Sequence, residues 1–178
     1  ERYRDNETMA MYDLINEPFG DYSTNSHLKQ LSAVCDQVYK AVRSVDTNHI
    51  IIIPGARQGI EFYGDPRERG WENVAFTEHY YPGLFGQDPS PETHAEFIYR
   101  TVPLRKAYLD KVQAPFLVGE FNTVFAAIGG GALMRKYYDE YAARGWAATL
   151  GGYSLGAGDG GPPGAGGAGR TRGAPRPP

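Results

Sequence analysis

The sequence contains a single cysteine, Cys35, and no apolar run long enough to span a bilayer. One cysteine excludes an internal disulfide, and the amphipathic pattern around Cys35 indicates a buried thiol rather than a nucleophile. The net charge of −3 provides no general attraction to nucleic acid or to an anionic membrane surface. We therefore predict neither a disulfide-linked fold nor a partner among nucleic acids or membranes.

Motifs for several common site chemistries are also missing. The four histidines are scattered, and neither a His-Glu-x-x-His motif nor a pair of cysteines is present. We therefore predict no metal site and no cofactor. The run Gly129-Gly130-Gly131 lacks the Lys-Ser/Thr continuation of a phosphate-binding loop and is predicted to start a helix. A serine-hydrolase motif of the form Gly-x-Ser-x-Gly is absent as well.

The composition divides the chain into two parts. Overall, 41% of the residues are hydrophobic and 22% are charged, which is typical of a globular protein. Residues 156–178, however, are almost wholly Gly, Pro, Ala and Arg, and they cannot bury enough apolar surface to offset the entropy of ordering. We predict a folded domain over residues 1–155 and a disordered tail over 156–178. An RNA-binding arginine–glycine tail is one interpretation of residues 170–173, and a cloning artefact or a shifted reading frame is the simpler one.

Short apolar segments alternate with longer amphipathic segments along residues 1–155. Such alternation is typical of an α/β fold built from parallel strand–helix units. The patterns predict five strands, at residues 9–16, 50–53, 74–79, 116–121 and 146–150, and three helices: one with its apolar positions over residues 28–45 and a cap among residues 23–26, and two at residues 90–111 and 130–144. Ser90 is expected to cap the second of these helices, and Pro103 is expected to kink or divide it.

Two of the predicted strands end at a carboxylate. Pro18 biases Glu17 towards extended backbone, so residues 9–16 are predicted to form a buried strand with Glu17 at its C-terminal end. Glu120 follows the fourth apolar strand in the same way. A carboxylate at the end of a buried strand is costly to desolvate without a partner or a task. Because α/β barrels place catalytic side chains at this edge, we expect the two carboxylates to converge there.

Each residue at these strand ends also has a structural interpretation. Asn16-Glu17-Pro18 can be a simple turn, and Glu120 can be a strand-end charge paired with an arginine. A lone histidine such as His79 is more often structural than catalytic, and Tyr80 and Tyr81 can pack against a helix. Their joint occurrence at predicted strand ends favours a functional site, and paired carboxylates there suit glycoside hydrolysis.

Four motifs together resemble glycoside hydrolase family 5, the cellulase family. The resemblance covers residues 1–155, and its motifs follow the family's order and spacing. It implies a partial (β/α)8 TIM barrel that corresponds to strands four to eight, with the first three strands absent. The motifs are Arg2-Tyr3-Arg4-Asp5-Asn6, Asn16-Glu17-Pro18, His79-Tyr80-Tyr81 and Gly119-Glu120-Phe121.

The resemblance also implies a role for each matching site residue. Glu17 matches the acid/base and Glu120 the nucleophile of a retaining mechanism. Asn16 matches the residue that hydrogen-bonds the sugar 2-hydroxyl. His79 and Tyr81 match a pair that follows the sixth barrel strand, in which the tyrosine hydroxyl supports the nucleophile.

The function implied by the resemblance is hydrolysis of β-1,4-linked polysaccharides, foremost as an endo-glucanase. A β-mannanase and a non-catalytic carbohydrate-binding fragment remain alternatives, and secretion of the full-length parent is expected. Two departures from the family bear on the site. The Arg and His that the family's first three strands contribute are absent, and Leu150-Gly151-Gly152 stands where the family has the tryptophan that stacks on sugar.

Overall fold

A computed structural model describes residues 2–18, 24–56, 59–84, 87–123 and 130–151. Five strands form one sheet in the order β1-β2-β3-β4-β5, and every neighbouring pair is parallel. This arrangement confirms the predicted parallel strand–helix units. The tail at residues 156–178 lies outside the described residues. The strands are β1 Met11–Asp13, β2 Ile50–Pro54, β3 Val74–Tyr80, β4 Phe116–Phe121 and β5 Ala147–Leu150.

Four α-helices lie between the strands in the described part of the chain: α1 Asn25–Arg43, α2 Pro91–Glu96, α3 Val102–Val112 and α4 Gly130–Ala142. The Thr24 hydroxyl accepts a hydrogen bond from the His27 N–H at 3.3 Å and caps α1. The Ser90 hydroxyl accepts one from the Thr93 N–H at 3.3 Å and caps α2, as predicted. None of the helices in the described residues is long and apolar enough to cross a membrane.

The helix predicted over residues 90–111 is divided, as Pro103 led us to expect. A π-helical turn, Phe97–Thr101, separates α2 from α3 and ends just before Pro103. Proline has no N–H to donate, and its ring crowds the carbonyl four residues earlier, which is that of Tyr99. The wider π turn contains Tyr99 and makes room for the ring without ending the helical path.

The hydrophobic core lies between the outer face of the sheet and the helices. Cys35 of α1 is 2% exposed, its sulfur lies 3.2 Å from the Tyr63 hydroxyl, and burial raises the pKa of the thiol. The prediction of a buried cysteine is therefore confirmed. The fully enclosed members of this core include Ile51, Ile53, Ile60, Phe76, Ile98, Val102, Val118, Phe121, Tyr137 and Tyr141.

The prediction for the first strand was wrong in length and in burial. β1 contains three residues, Met11–Asp13, rather than the eight of residues 9–16, and both of its ends are exposed. β1 forms one edge of the described sheet and pairs only with β2, so it has a neighbour on one side alone. The apolar run therefore predicted correctly that a strand forms here, but it did not predict that the strand is short and partly exposed.

A bulge in β4 determines which side chains face the inner side of the sheet. Val118 pairs with Glu78 and Glu120 pairs with His79, so Gly119 is an extra residue in β4. With strict alternation, Val118 and Glu120 would share a face. The bulge instead places Phe121 in the core with Val118 and leaves Glu120 on the opposite, inner face.

Candidate active site

Three side chains from separate strand ends meet at the C-terminal edge of the sheet: Glu17, His79 and Glu120. His79 Nδ1 lies 2.7 Å from Glu17 Oε1 and 3.7 Å from Glu120 Oε2. One oxygen of each carboxylate and a His79 ring nitrogen all lie within 4.8 Å of one another. The histidine side chain is 13% exposed, and the carboxylates are 36% and 37% exposed. The structure therefore brings the two strand-end glutamates together and places the histidine between them.

Glu17 reaches this cluster through an unusual backbone conformation. It lies four residues beyond β1 and has a φ of 39°, in the left-handed region. The prediction of extended backbone at Glu17 was therefore wrong. Left-handed backbone costs a non-glycine residue about 1–2 kcal/mol. Pro18 favours extended backbone at Glu17 only through local contacts, and the contact between Glu17 and His79 outweighs this preference. Asn16, the residue directly before Glu17, is exposed.

Tyr81 is the direct partner of Glu120. Its hydroxyl donates a hydrogen bond of 2.6 Å to Glu120 Oε2. Burial, followed by the nearby carboxylates of Glu120 and Glu17, raises the pKa of Tyr81 well above its usual range. The hydroxyl therefore remains a protonated donor at neutral pH. A donor at this distance holds the carboxylate that accepts from it in a fixed orientation.

The neighbouring tyrosine, Tyr80, has a different role. Its side chain lies on the outer face of β3, where its ring contacts Phe97 edge-on at 4.9 Å between centroids. Its hydroxyl donates to Glu78, which lies on the same face. Packing against a helix, the structural interpretation considered for the tyrosines after β3, therefore describes Tyr80 and not Tyr81.

Thr77 and Gly119 form the floor of the site, and sequence reasoning singled out neither as a site residue. Thr77 is 2% exposed, and its hydroxyl has no hydrogen-bond partner among the described residues. A Cβ added to Gly119 would lie 2.5 Å from Thr77 Oγ1 and 2.8 Å from His79 Nε2. Glycine is therefore required where β4 passes under the imidazole. The available signal for Thr77 was its position two residues before His79, on the same strand face.

Asp13 supplies a third carboxylate near the site. It ends β1, and although the residue as a whole is exposed, partial desolvation of its carboxyl raises the pKa. His79 lowers this pKa and Glu120 raises it, so both act electrostatically on Asp13. The signal that sequence reasoning missed was a strand-end carboxylate four residues before Glu17.

Gly151, just after β5, packs against the hydrogen-bonded pair of Tyr81 and Glu120. Its N–H donates to the Phe121 carbonyl at 2.9 Å. A Cβ at Gly151 would collide with the Tyr81 hydroxyl and lie 3.0 Å from the Glu120 Cβ. The backbone of Gly151, which has no side chain, therefore covers Tyr81 and Glu120. The family resemblance implies a tryptophan in this stretch. Residues 152–154 lie outside the described part of the chain.

The cluster also has the composition of a possible metal site. Within the described residues, Glu17, His79 and Glu120 are the one group of three side chains whose donor atoms lie close enough to hold an ion. Motif spacing predicted no metal site, because the three residues are separated by 62 and 41 positions and share no local motif. Only the fold brings them together.

Comparison with known proteins gives a consistent family. The family model for cellulase (glycosyl hydrolase family 5) matches residues 1–154. A β-xylosidase of Phanerodontia chrysosporium is 34% identical over 134 residues, which are 71% of this chain and 27% of that protein.

Solved structures support the fold. Endo-glycoceramidase II of Rhodococcus sp., in complex with a cellobiose-like imidazole, matches with a TM-score of 0.67 and 22% identity, over 84% of this chain and 36% of its own. Cel5A of Thermotoga maritima, in complex with cellobiose, matches with a TM-score of 0.67 and 21% identity, over 87% of this chain and 56% of its own. The chain thus spans between about a quarter and just over half of these relatives. Its five parallel strands with their helices are a partial TIM barrel, which confirms the expected fold class.

Proposed function

The chain belongs to glycosyl hydrolase family 5, and from this premise we propose that it is a retaining glycosidase of β-1,4-linked polysaccharides, foremost an endo-glucanase. The chain covers only part of its relatives, so the proposal concerns the activity to which its residues contribute. Glu17 is the acid/base and Glu120 the nucleophile in this proposal.

The closeness of the two carboxylates carries the proposal. An oxygen of Glu17 and an oxygen of Glu120 belong to a cluster whose atoms all lie within 4.8 Å. Retaining glycosidases hold their two carboxyl groups about 5–5.5 Å apart, whereas inverting enzymes need about 6.5–9.5 Å to admit a water molecule between carboxylate and sugar. The separation supports a retaining pair.

The chemistry follows in two displacements. The Glu120 carboxylate attacks the anomeric carbon, and the glycosidic C–O bond breaks as the carboxylic acid of Glu17 donates its proton to the leaving oxygen. A covalent glycosyl ester on Glu120 and an ionised Glu17 result. Glu17 then takes a proton from a water molecule, the water oxygen attacks the anomeric carbon, and Glu120 leaves as a carboxylate.

The neighbouring side chains assist these steps in the proposal. Tyr81 donates to Glu120 Oε2 at 2.6 Å, which orients the nucleophile and stabilises the charge that Glu120 regains when it leaves in the second step. The His79 ring nitrogen between the two carboxylates reduces their mutual repulsion when it carries a proton. Asn16 is exposed next to Glu17, where its amide is available to the sugar 2-hydroxyl.

Hydrolysis of carboxymethylcellulose by the whole chain tests the proposal, with release of reducing ends as the measurement. We expect Glu120→Gln to lower turnover about a thousandfold or more, because an amide is a poor nucleophile. Glu68→Gln, at an exposed glutamate away from the site, is the matched control and should leave turnover unchanged. Turnover that survives Glu120→Gln would contradict the assignment, and initial release of the α-anomer would contradict retention.

A second substrate class has its own support. The relative that is 34% identical over 134 residues is named a β-xylosidase, so cleavage of β-linked xylosides is the next candidate. A β-mannanase is the further alternative. Parallel assays on carboxymethylcellulose, mannan and an aryl β-xyloside separate the three, because the preferred polymer or glycoside should have the highest kcat/KM.

A non-catalytic carbohydrate-binding role is the alternative from a different class. It predicts binding of cello-oligosaccharides that Glu17→Gln leaves unchanged, with no turnover of any of the three substrates. Absence of both binding and turnover would contradict both functions for this chain. A polysaccharide substrate does not cross membranes, so we also propose secretion, which fractionation of producing cells into medium and lysate tests.

A further inference from the structure

We propose that the cluster of Glu17, His79 and Glu120 chelates a zinc-like divalent cation, which ties up both carboxylates and inhibits hydrolysis reversibly. The cation is a ligand in competition with substrate rather than a cofactor. Its binding does not depend on the proposed hydrolysis; only the inhibition rests on that proposed function.

The donor atoms are already close to the spacing that a metal ion requires. Nδ1 of His79 lies 2.7 Å from Glu17 Oε1 and 3.7 Å from Glu120 Oε2. Zinc holds nitrogen and oxygen ligands at about 2.0–2.2 Å, so neighbouring ligands around a tetrahedral ion lie about 3.3–3.6 Å apart. Small rotations of two half-exposed carboxylates are enough to reach this spacing. The exposure also leaves a path for the ion and a position for a water ligand.

The charges of the cluster match a divalent ion. Glu17 releases the proton that it carries as the proposed acid when the ion binds, so the two carboxylates then carry two negative charges, and a neutral imidazole adds a nitrogen donor without further charge. Imidazole with carboxylate ligands suits zinc, copper and nickel, whereas magnesium prefers octahedral oxygen ligands and retains its waters. The donor set therefore predicts selection of zinc over magnesium.

Thr77 provides an independent indication of a ligand. When Nδ1 of a neutral histidine binds a metal, the ring proton resides on Nε2 and needs an acceptor. Nε2 of His79 and Oγ1 of Thr77 both lie near the position that a Cβ on Gly119 would take. The distance from this position is 2.8 Å to His79 Nε2 and 2.5 Å to Thr77 Oγ1. The Thr77 hydroxyl is buried at 2% exposure and has no hydrogen-bond partner among the described residues. Thr77 Oγ1 and His79 Nε2 form no hydrogen bond in the described structure, so in the proposal Thr77 becomes the acceptor only when the ion orients the imidazole.

The other outer partner is already in place. Tyr81 donates a hydrogen bond to Glu120 Oε2 at 2.6 Å. A carboxylate oxygen has two lone pairs, so Oε2 can accept from Tyr81 and bind the ion at once. Hydrogen bonds of this kind fix a ligating carboxylate and strengthen metal binding.

Isothermal titration of the whole chain with zinc chloride, in a buffer that does not bind zinc, tests the site without any measurement of activity. We expect one site of the unmodified chain to weaken by at least tenfold in His79→Ala. Thr77→Val should weaken the same site about tenfold, since loss of an outer partner typically costs ten- to a hundredfold. His27→Ala, at a histidine in the first turn of α1, is the matched control and should retain full affinity. Magnesium chloride should give no binding at this site.

Nuclear magnetic resonance of the unmodified chain, labelled with 15N at histidine, keeps the test informative if His79→Ala does not fold, because it needs only the more conservative His79→Gln to assign the signals. Zinc should shift one of the four imidazoles at its Nδ1 nitrogen, in proportion to the occupancy measured by titration. That imidazole should be the one whose signals are missing in His79→Gln. Equal zinc affinity of the unmodified chain and a folded His79→Ala chain would overturn the proposal, and so would a shift confined to other histidines.

Inhibition is measured separately. Zinc should raise the apparent KM of the chain for carboxymethylcellulose, and a chelator should restore it. Zinc binding without any hydrolysis would contradict the proposed function and leave the metal site intact. Hydrolysis that zinc does not inhibit, in a chain that binds zinc through His79, would contradict the inhibitory part of the proposal.

Discussion

Glu78 and His79 are consecutive in β3, but their side chains lie on opposite faces of the sheet. Glu78 is 7% exposed and accepts two hydrogen bonds from Arg105 of α3, at 2.6 and 2.8 Å. His79 faces the inner side and contacts Glu17 at 2.7 Å. One strand therefore joins a buried ion pair, which fastens a helix to the sheet, to the centre of the candidate site. A rotation or slip of β3 would disturb both.

The ion pair of Glu78 and Arg105 is expected to be important for stability. Arg105→Met leaves the buried Glu78 carboxylate without its bidentate partner, so we expect a loss of about 3–5 kcal/mol in the free energy of unfolding, measured with urea. The double variant Glu78→Leu/Arg105→Met removes both charges and should recover most of this loss. A single variant as stable as the unmodified chain would show that the pair contributes little.

Tyr81→Phe removes the hydroxyl that donates to Glu120 and retains the ring. A hydrogen bond to a charged group contributes about 1.5–3 kcal/mol, so we expect kcat/KM to fall roughly ten- to a hundredfold. Tyr138→Phe is the matched control, since Tyr138 is 40% exposed on α4. Equal kcat/KM in the Tyr81 variant and the unmodified chain would exclude a supporting role for this hydroxyl.

Gly119→Ala places a methyl group 2.5 Å from Thr77 Oγ1 and 2.8 Å from His79 Nε2. Such overpacking typically costs about 1–3 kcal/mol, and urea denaturation measures it. Gly131→Ala, in the first turn of α4, is the control with the opposite sign: no atom of the other described elements lies within 4 Å of its added Cβ, and it should stabilise α4 by at most about 0.5–1 kcal/mol. Thr77→Ala should rescue part of the loss in Gly119→Ala. Absence of rescue would mean that the contact with Thr77 is not the cause.

Asp46 and His49, which are buried between α1 and β2, make the stability of the fold depend on pH. Burial of Asp46 by itself would raise its pKa. Hydrogen bonds to the carboxylate outweigh this effect and hold the pKa of Asp46 well below its usual range. The His49 backbone N–H is the foremost donor, followed by the Tyr12 hydroxyl. The hydrogen bond to Asp46, followed by that to the Asn6 carbonyl, raises the pKa of His49. Asp46 therefore contributes stability above its unfolded pKa of about 3.9, and this contribution is lost as the pH falls.

For His49 the sign is opposite. Its contribution is fully present below the unfolded histidine pKa of about 6.5 and is lost as the pH rises through the higher pKa of the folded state. We expect the Tm of the unmodified chain to decline as the pH rises from 6.5 to 8. This decline should be absent in His49→Gln and present in the control His27→Gln. An identical decline in the His49 variant would assign the pH dependence to other groups.

Much of this fold was predictable because its signals are local. Apolar runs ending at polar residues mark the strands, Thr24 and Ser90 cap their helices within three residues, and Pro103 interrupts its helix through its own ring and missing N–H. The strand-end glutamates, Glu17 and Glu120, were visible for the same reason. Short-range patterns therefore determined the order of elements and the candidate pair of carboxylates.

Local patterns did not predict how far other elements cover each strand, where the backbone is strained, or which face of the sheet each side chain occupies. Met11 is 39% exposed because β1 lies at an edge, which depends on the pairing of the whole sheet. Glu17 adopts a φ of 39° against the preference of a residue before proline. The contact that offsets this strain is with His79, 62 residues further along the chain.

The sequence by itself determined which strands form, in what order, and that the catalytic candidates Glu17 and Glu120 lie at or just beyond the ends of two of them. The tertiary structure alone decided that these carboxylates meet. Without the bulge at Gly119, alternation would turn Glu120 towards the core and Phe121 towards the site. The bulge allows Phe116, Val118 and Phe121 all to lie buried in the core. Which face of β4 the helices cover depends on elements that are distant in the sequence.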